Sequence, residues 1–308
     1  MEKPTHAYFE GKIVPYAEAK IGILTHALNY GTGAFGGLRG YWNPEREQMY
    51  LFRPGDHYRR LLNSAKLLCM SFDHTPESLT AITKELLRKE GFRENVYVRP
   101  LVYKASEGIG VKLHGLDDEI SIVALPFGLY LANDTDAHVT ISSWRRVDDN
   151  VIPARGKITG AYANSALIKT DAQRAGFDEA LVLTQDGHIS EGSAENLFMV
   201  RDGVLLTPPV TDNVLEGITR RSVIELAQKE LGLSVMERPI DRTEVYICDE
   251  LFMTGTAAQI TAITRVDHRR VGSGSMGPVA TRLREIFHDV VIGKVEKYRT
   301  WNIPVYKK

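Results

Sequence analysis

Two Asp-Gly dipeptides in the second half of the chain, Asp186-Gly187 and Asp202-Gly203, each sit between short apolar runs. A tight hairpin turn needs positive φ at its central positions, which Asp and Gly tolerate, so this pattern is a strong hairpin signal. Strands are expected at 180–184 and from His188 onward about the first turn, and at 196–200 and 204–206 about the second. The second half therefore reads as an antiparallel, hairpin-built sheet. A strand at 139–143 and helices at 161–175, 219–231 and 278–292 complete it, the first helix stopped by Gly176.

The first half has a different texture. Residues 7–15 read as a hairpin with Glu10-Gly11-Lys12 at its turn, and a Gly-rich stretch runs from Gly31 to Gly40. Tyr58, Leu61, Leu62, Ala65 and Leu68 recur at helical spacing over 57–68, and a second helix is expected from Pro76 to Glu90, closed by Gly91. Strands follow at 95–103 and 119–124. Pro126-Phe127-Gly128 and the polar cluster Asn133-Asp134-Thr135-Asp136 mark a break. The expected division is an α+β small domain over 1–125, a linker loop over 126–136, and a large domain over 137–308 with a barrel-like antiparallel core.

Charge and cysteine usage exclude several classes of function. Among 308 residues, 38 Lys and Arg nearly balance 39 Asp and Glu, so nothing electrostatic points to a nucleic-acid or membrane partner. Cys69 and Cys248 lack any CxxC spacing, which argues against a disulfide framework or a zinc site, and no metal is expected. The first residues carry no apolar signal core, and no apolar run is long enough to span a bilayer. A soluble cytoplasmic protein is the expectation.

Several motifs carry chemistry, each with a plain structural counterpart. Gly31-Thr32-Gly33-Ala34-Phe35-Gly36 and Gly272-Ser273-Gly274-Ser275-Met276-Gly277 both match GxGxxG, which would suit an NAD(P)-dependent oxidoreductase. No buried strand feeds the first, and too little chain follows the second for a dinucleotide domain, so both read as tight turns. Leu215-Glu216-Gly217-Ile218-Thr219-Arg220 opens an amphipathic helix. That start is either an anion site or an ordinary helix end capped with the help of Thr219. Glu191, in Ser190-Glu191-Gly192-Ser193-Ala194-Glu195-Asn196, either faces a bound cation or is a solvated turn residue. Lys157 lies among small residues at an element boundary. Such a lysine serves as a Schiff-base nucleophile when desolvation lowers its pKa, although periodicity does not single it out.

Taken in order along the chain, these segments resemble the branched-chain aminotransferases of the fold-type IV pyridoxal-phosphate (PLP) enzymes. The stretches that carry the resemblance are His26 to Gly31, His57 to Leu61, Tyr97 to Leu101, Lys157 with Tyr162, and Ile189 to Gly192. Beyond them come Glu195 to Phe198, Thr207 to Pro209, Gly217 to Arg220, and Phe252 to Ala258. The resemblance covers nearly the whole chain.

It implies a role for each residue. Lys157 would anchor PLP and act as general base and acid; Glu191 would pair with the pyridine nitrogen and Tyr162 with the phenolic oxygen. Arg60, the start of the helix at Leu215, Gly217, Ile218 and Thr219, and the Thr256 hydroxyl would cradle the phosphate. Tyr97 and Arg99 would hold the substrate's α-carboxylate, with further donors from Thr256 and Ala257. Tyr30, Phe35, Phe127 and Tyr130 would line an apolar side-chain pocket. The loop Gly108-Ile109-Gly110-Val111 would reach a neighbouring subunit, implying a homodimer or larger homo-oligomer. The expected reaction takes L-leucine, L-isoleucine or L-valine and 2-oxoglutarate to the branched 2-oxo acid and glutamate. One departure stands out: Gly36 occupies the place of the family's usual glutamate. It implies a wider pocket and a new partner for Arg39, and it keeps D-amino acids and (R)-amines open as substrates.

Overall fold

The computed structural model describes residues 3–128 and 134–306. By its internal contacts the chain divides into two compact units: Met1–Gly128 with Gly156–Ala161 and Asp289–Lys308, and Leu129–Arg155 with Tyr162–His288.

The first unit is built on an antiparallel sheet. Its strands are β1 (His6–Phe9), β2 (Lys12–Pro15), β3 (Gly33–Phe35), β4 (Leu38–Asn43), β5 (Gln48–Phe52), β6 (Val96–Lys104) and β7 (Asp118–Pro126), with a last strand from the C-terminal segment. A five-residue helix, α1 (His26–Tyr30), and two longer ones, α2 (Pro54–Leu67) and α3 (Pro76–Glu90), complete it. α2 starts on a proline and turns His57, Tyr58, Leu61, Ser64 and Ala65 inward, the i, i+4, i+7 stripe of an amphipathic helix. α3 opens on a reciprocal capping box, the Thr75 side chain accepting from Ser78 N–H and the Ser78 side chain from Thr75 N–H. It ends at Gly91, whose φ of 74° is the left-handed conformation that lacks a steric penalty only for glycine. The Tyr58 and Thr83 hydroxyls join α2 to α3 by a buried hydrogen bond.

The Gly-rich stretch from Gly31 to Gly40 is not a loop. It holds β3 and the start of β4, both paired antiparallel with β6. Gly31 closes α1 with φ 66°, so the first GxGxxG match is a helix end followed by a strand.

The second unit continues with β8 (Ala137–Arg145), α4 (Tyr162–Arg174), β9 (Glu179–Leu183), β10 (Ile189–Gly192), β11 (Asn196–Arg201) and β12 (Val204–Thr207). Then come α5 (Ile218–Leu231), β13 (Val235–Glu237), β14 (Glu250–Gly255), β15 (Gln259–Val266), β16 (Arg269–Arg270) and α6 (Pro278–Val291), which runs on into the C-terminal segment. The two expected hairpins form: β9 pairs with β10 and β11 with β12, both antiparallel. The sheet as a whole is mixed rather than antiparallel. β8 lies parallel to both β9 and β15, and β12 lies parallel to β13, because helical and irregular connections bring those strands back in the same direction. Leu197, Met199, Leu251, Met253, Ile263 and Val266 bury one face of this sheet. Phe198 and Phe252 alternate to the other face and stack at 5.3 Å. The second GxGxxG match is a turn ahead of α6. A Cβ on Gly277 would lie 2.1 Å from the Glu250 carboxyl carbon. Glu250 caps that helix by accepting from Val279 and Ala280 N–H at 2.9 Å.

The C-terminal segment belongs with the first unit. Strand β17 (Asn302–Pro304) pairs antiparallel with β5, and Arg53 N–H donates to Trp301 O at 2.6 Å. Arg93 stacks on the Tyr306 ring at 4.2 Å.

Candidate active site

In the first unit, the segment 156–160 is fastened to β3. Phe35 N–H donates to Lys157 O at 2.9 Å, and Gly160 N–H to Gly31 O at 3.1 Å. Thr159 Oγ1 donates to Gly31 O at 2.8 Å. Lys157 N–H in turn donates to Ser64 Oγ at 3.2 Å, so the lysine is held from both sides by its own backbone. Its half-buried side chain places Nζ 5.1 Å from the centroid of the Phe35 ring. Ser64 lies on the same helical stripe of α2 as His57 and Arg60, which turns that stripe toward Lys157. His57 is buried there, and burial, with the positive Arg60 next, holds its pKa well below the usual histidine range. Neutral His57 adds no charge to this cationic group.

Tyr97, Arg99, Phe35 and Phe127 form a second cluster in the same unit. The Arg99 guanidinium is exposed, stacked 4.5 Å from the Phe35 ring and 5.1 Å from the Tyr97 ring, and Nη2 donates to the Tyr97 hydroxyl at 3.1 Å. Phe127 packs on Tyr97 at 5.2 Å between centroids. The Tyr30 ring packs at a tilt on His26, 4.7 Å between centroids, and its hydroxyl accepts from Gly110 N–H at 3.0 Å, pinning the Gly108 to Val111 loop. Tyr130 lies outside the described residues.

A Cβ on Gly36 would fall 2.7 Å from Cγ of Pro100, so the proline ring packs directly against this glycine. Arg39 is held by the segment that follows β7. It is 2% exposed and donates to the carbonyls of Phe127 and Gly128 at 3.0 and 2.5 Å.

In the second unit the centre is Glu191, 3% exposed at the end of β10. Oε1 pairs with Arg146 Nη2 at 2.9 Å, while Oε2 accepts from Asn196 Nδ2 at 3.0 Å and from Leu215 N–H at 3.1 Å. The solvated-turn reading of this residue is therefore overturned: hairpin pairing with β9 carries it inside. Donors on both oxygens favour the carboxylate. Asn196 also donates to Leu215 O at 2.9 Å, which ties Glu191 to the entry of α5. The N-cap of α5 is Gly217, with no side-chain cap, so Thr219 does not cap it. A Cβ on Gly217 would meet Asn196 Oδ1 at 2.0 Å, so the approach requires glycine. The backbone N–H groups of Ile218 and Thr219 lie in the first turn, at the positive end of the helix dipole. Thr256 and Ala257 occupy the turn between β14 and β15, and the pairing of Asn196 with Thr254 sets that turn at the same sheet end as Asn196. Tyr162 opens α4, half-buried. Arg146, Ser64 and Asn196 are functional neighbours that sequence reading did not single out. For Arg146 the available signal was a second arginine directly after an alternating strand, a weak one.

Among the described residues no group of three or more His, Cys, Asp or Glu is placed to hold a metal, and no helix is long and apolar enough to cross a membrane.

Comparison with known proteins identifies the family. The model of the family described as Amino-transferase class IV matches residues 35–266; the chain belongs to this family. A "Probable branched-chain-amino-acid aminotransferase" of Aquifex aeolicus is 47% identical over 302 residues, 98% of this chain and 97% of that protein. The branched-chain aminotransferase of Thermoproteus uzoniensis, solved with norvaline, superposes with a TM-score of 0.94 at 42% identity, covering 98% of this chain and all of that one. The branched-chain amino acid aminotransferase of Thermobaculum terrenum, solved in its PLP-form, gives a TM-score of 0.95 at 37% identity, covering 100% of each chain.

Proposed function

We propose that this chain is a PLP-dependent aminotransferase that moves the amino group of L-leucine, L-isoleucine or L-valine to 2-oxoglutarate. The similar proteins named above support the substrate class. The observation that carries the reading is the Glu191 carboxylate, buried, held on both oxygens, and tied through Asn196 to the uncapped start of α5. A ligand suited to that pair has a cationic ring nitrogen at one end and a phosphate at the other, so the residues fit PLP.

Bound PLP supplies an electron-withdrawing ring that stabilises the charge left when the substrate Cα loses its proton, and it stores the amino group between half-reactions. Glu191 keeps the ring nitrogen protonated. Arg60, the N–H groups of Ile218 and Thr219, and the Thr256 hydroxyl bind phosphate oxygens, with Leu215 and Gly217 shaping the entry to the helix. Tyr162 donates to the ring's phenolic oxygen. Lys157 would anchor the cofactor, and its Nζ would take the Cα proton and deliver it to C4′ of the cofactor. Tyr97 and Arg99 hold the substrate carboxylate, with Thr256 and Ala257 adding donors, and Tyr30, Phe35, Phe127 and Tyr130 provide apolar walls. The small domain to residue 125 and the large cofactor-binding domain from 137, joined by 126–136, are the functional division we infer. A cytoplasmic homodimer is the working form.

The test is the visible absorption spectrum of the purified protein before and after L-leucine. A yellow band that L-leucine discharges, and that is absent from Lys157→Ala, is expected. A band that responds to D-alanine or an (R)-amine but not to L-leucine would overturn the substrate assignment. No band after PLP supplementation would overturn the reading as a whole.

A further inference from the structure

β3 and β4 are two halves of one strand. β3 pairs with β6 at Gly33↔Tyr103, Ala34↔Val102 and Phe35↔Leu101, and β4 resumes at Leu38↔Val98 and Arg39↔Tyr97 in the same register. Gly36 and Gly37 thus stand opposite Pro100 and Arg99, where the ladder is interrupted because proline has no N–H to donate. Gly36 N–H still donates to Pro100 O at 2.8 Å, so the strand keeps its course through the gap.

The interruption has a specific occupant. Tyr97 stands opposite Arg39, and its ring leans diagonally across the strand to cover Gly37. A Cβ on Gly37 would lie 2.2 Å from the Tyr97 hydroxyl oxygen and 2.9 Å from Cζ, closer than any real contact of that kind. At that spot the hydroxyl accepts from Arg99 Nη2 at 3.1 Å, while the guanidinium is stacked on Phe35 and Tyr97.

We propose that Gly37 is a specificity-determining positioning residue: its missing side chain leaves the notch in which the Tyr97 hydroxyl settles, and this aims Arg99 at a substrate carboxylate. The inference rests on the carboxylate-holding role proposed for Tyr97 and Arg99. Any side chain at 37 displaces the Tyr97 ring and releases the guanidinium from its hydrogen bond, leaving the residues that carry cofactor chemistry in place.

The test compares the PLP-loaded wild type with Gly37→Ala, Tyr97→Leu, the double variant and Arg99→Ala. The readouts are the Kd of glutarate by calorimetry, KM and kcat with 2-oxoglutarate, and the thermal midpoint. Gly37→Ala is expected to weaken glutarate and raise KM by about tenfold, the loss of one charge-assisted hydrogen bond, with kcat within about twofold. In the Tyr97→Leu background, where the ring is gone, the same substitution should change glutarate affinity less than about twofold, since coupled residues do not add. Independent, multiplying effects would overturn the proposal. If Gly37→Ala alone does not fold, a folded double variant supports the clash and an unfolded one overturns it. Unchanged glutarate binding in Arg99→Ala would instead remove the carboxylate-holding role itself.

Discussion

Glu195 shares a turn with Glu191 and is equally buried, at 3% exposure, but its surroundings differ. Arg146 pairs with Glu191, and Lys169 Nζ pairs with Glu179 at 2.6 Å, while Glu195 Oε2 accepts from Ala194 N–H at 3.1 Å. Burial, with the Glu179 charge next and Glu191 adding, pushes Glu195 up to about 8 against the opposing pull of Lys169. A carboxyl raised in the folded state contributes stability that is complete below its unfolded pKa of about 4.5 and lost as pH rises through about 8. Glu195→Gln is therefore expected to flatten the fall of thermal midpoint between pH 5 and 8.5, a range set by those two pKa values. Parallel curves for the two proteins would show that Glu195 is ionised in the folded state. None of this was legible in Ser190 to Asn196, a polar run that looks solvated. Its burial comes from pairing with β9 and from α5, both set by tertiary structure. Glu191 became a candidate only through resemblance, and Arg146 not at all, because an ion pair across 45 positions leaves no local trace.

Helices were the most readable elements. α3 spans Pro76–Glu90 as its cap signals indicate, and α5 begins at Ile218, one residue before the expected 219. Proline at the first turn and glycine past the end each act locally, so their signal survives in the sequence. The strands at 33–52 did not read through, because glycines interrupt β3 and β4, and β4 and β5 are buried on both faces and so lack an alternating pattern. The parallel pairings of β8 also escaped, since strand direction depends on the connections between strands. The local signals have testable weight. Thr75→Ala removes the acceptor for Ser78 N–H and half of the reciprocal box, and should cost about 1 kcal/mol. Urea unfolding checks this: an unchanged midpoint would mean α3 is held by the packing of Leu79, Leu86 and Leu87 and by the Tyr58–Thr83 hydrogen bond.

At the scale of the whole molecule, the first unit carries an apolar surface. Ile109 is 91% exposed, Ile23 83%, Val111 77% and Leu28 60%, and Gly108 N–H donates to Leu24 O at 3.1 Å, drawing the two loops together. Such a patch is what a second copy would cover. A dimer in sedimentation, dissociating more readily in the Ile109→Asp/Val111→Asp variant, is the expected outcome. Unaltered assembly would place the interface elsewhere. The threading of the chain has a consequence of its own. β5 gains its neighbour β17 from residues 302–304, and Lys157 is fixed to β3 from a segment far along the chain. On the ribosome, the first sheet therefore waits with an unpaired edge while residues 134–288 emerge. The later unit can gather its own strands before the earlier one is finished.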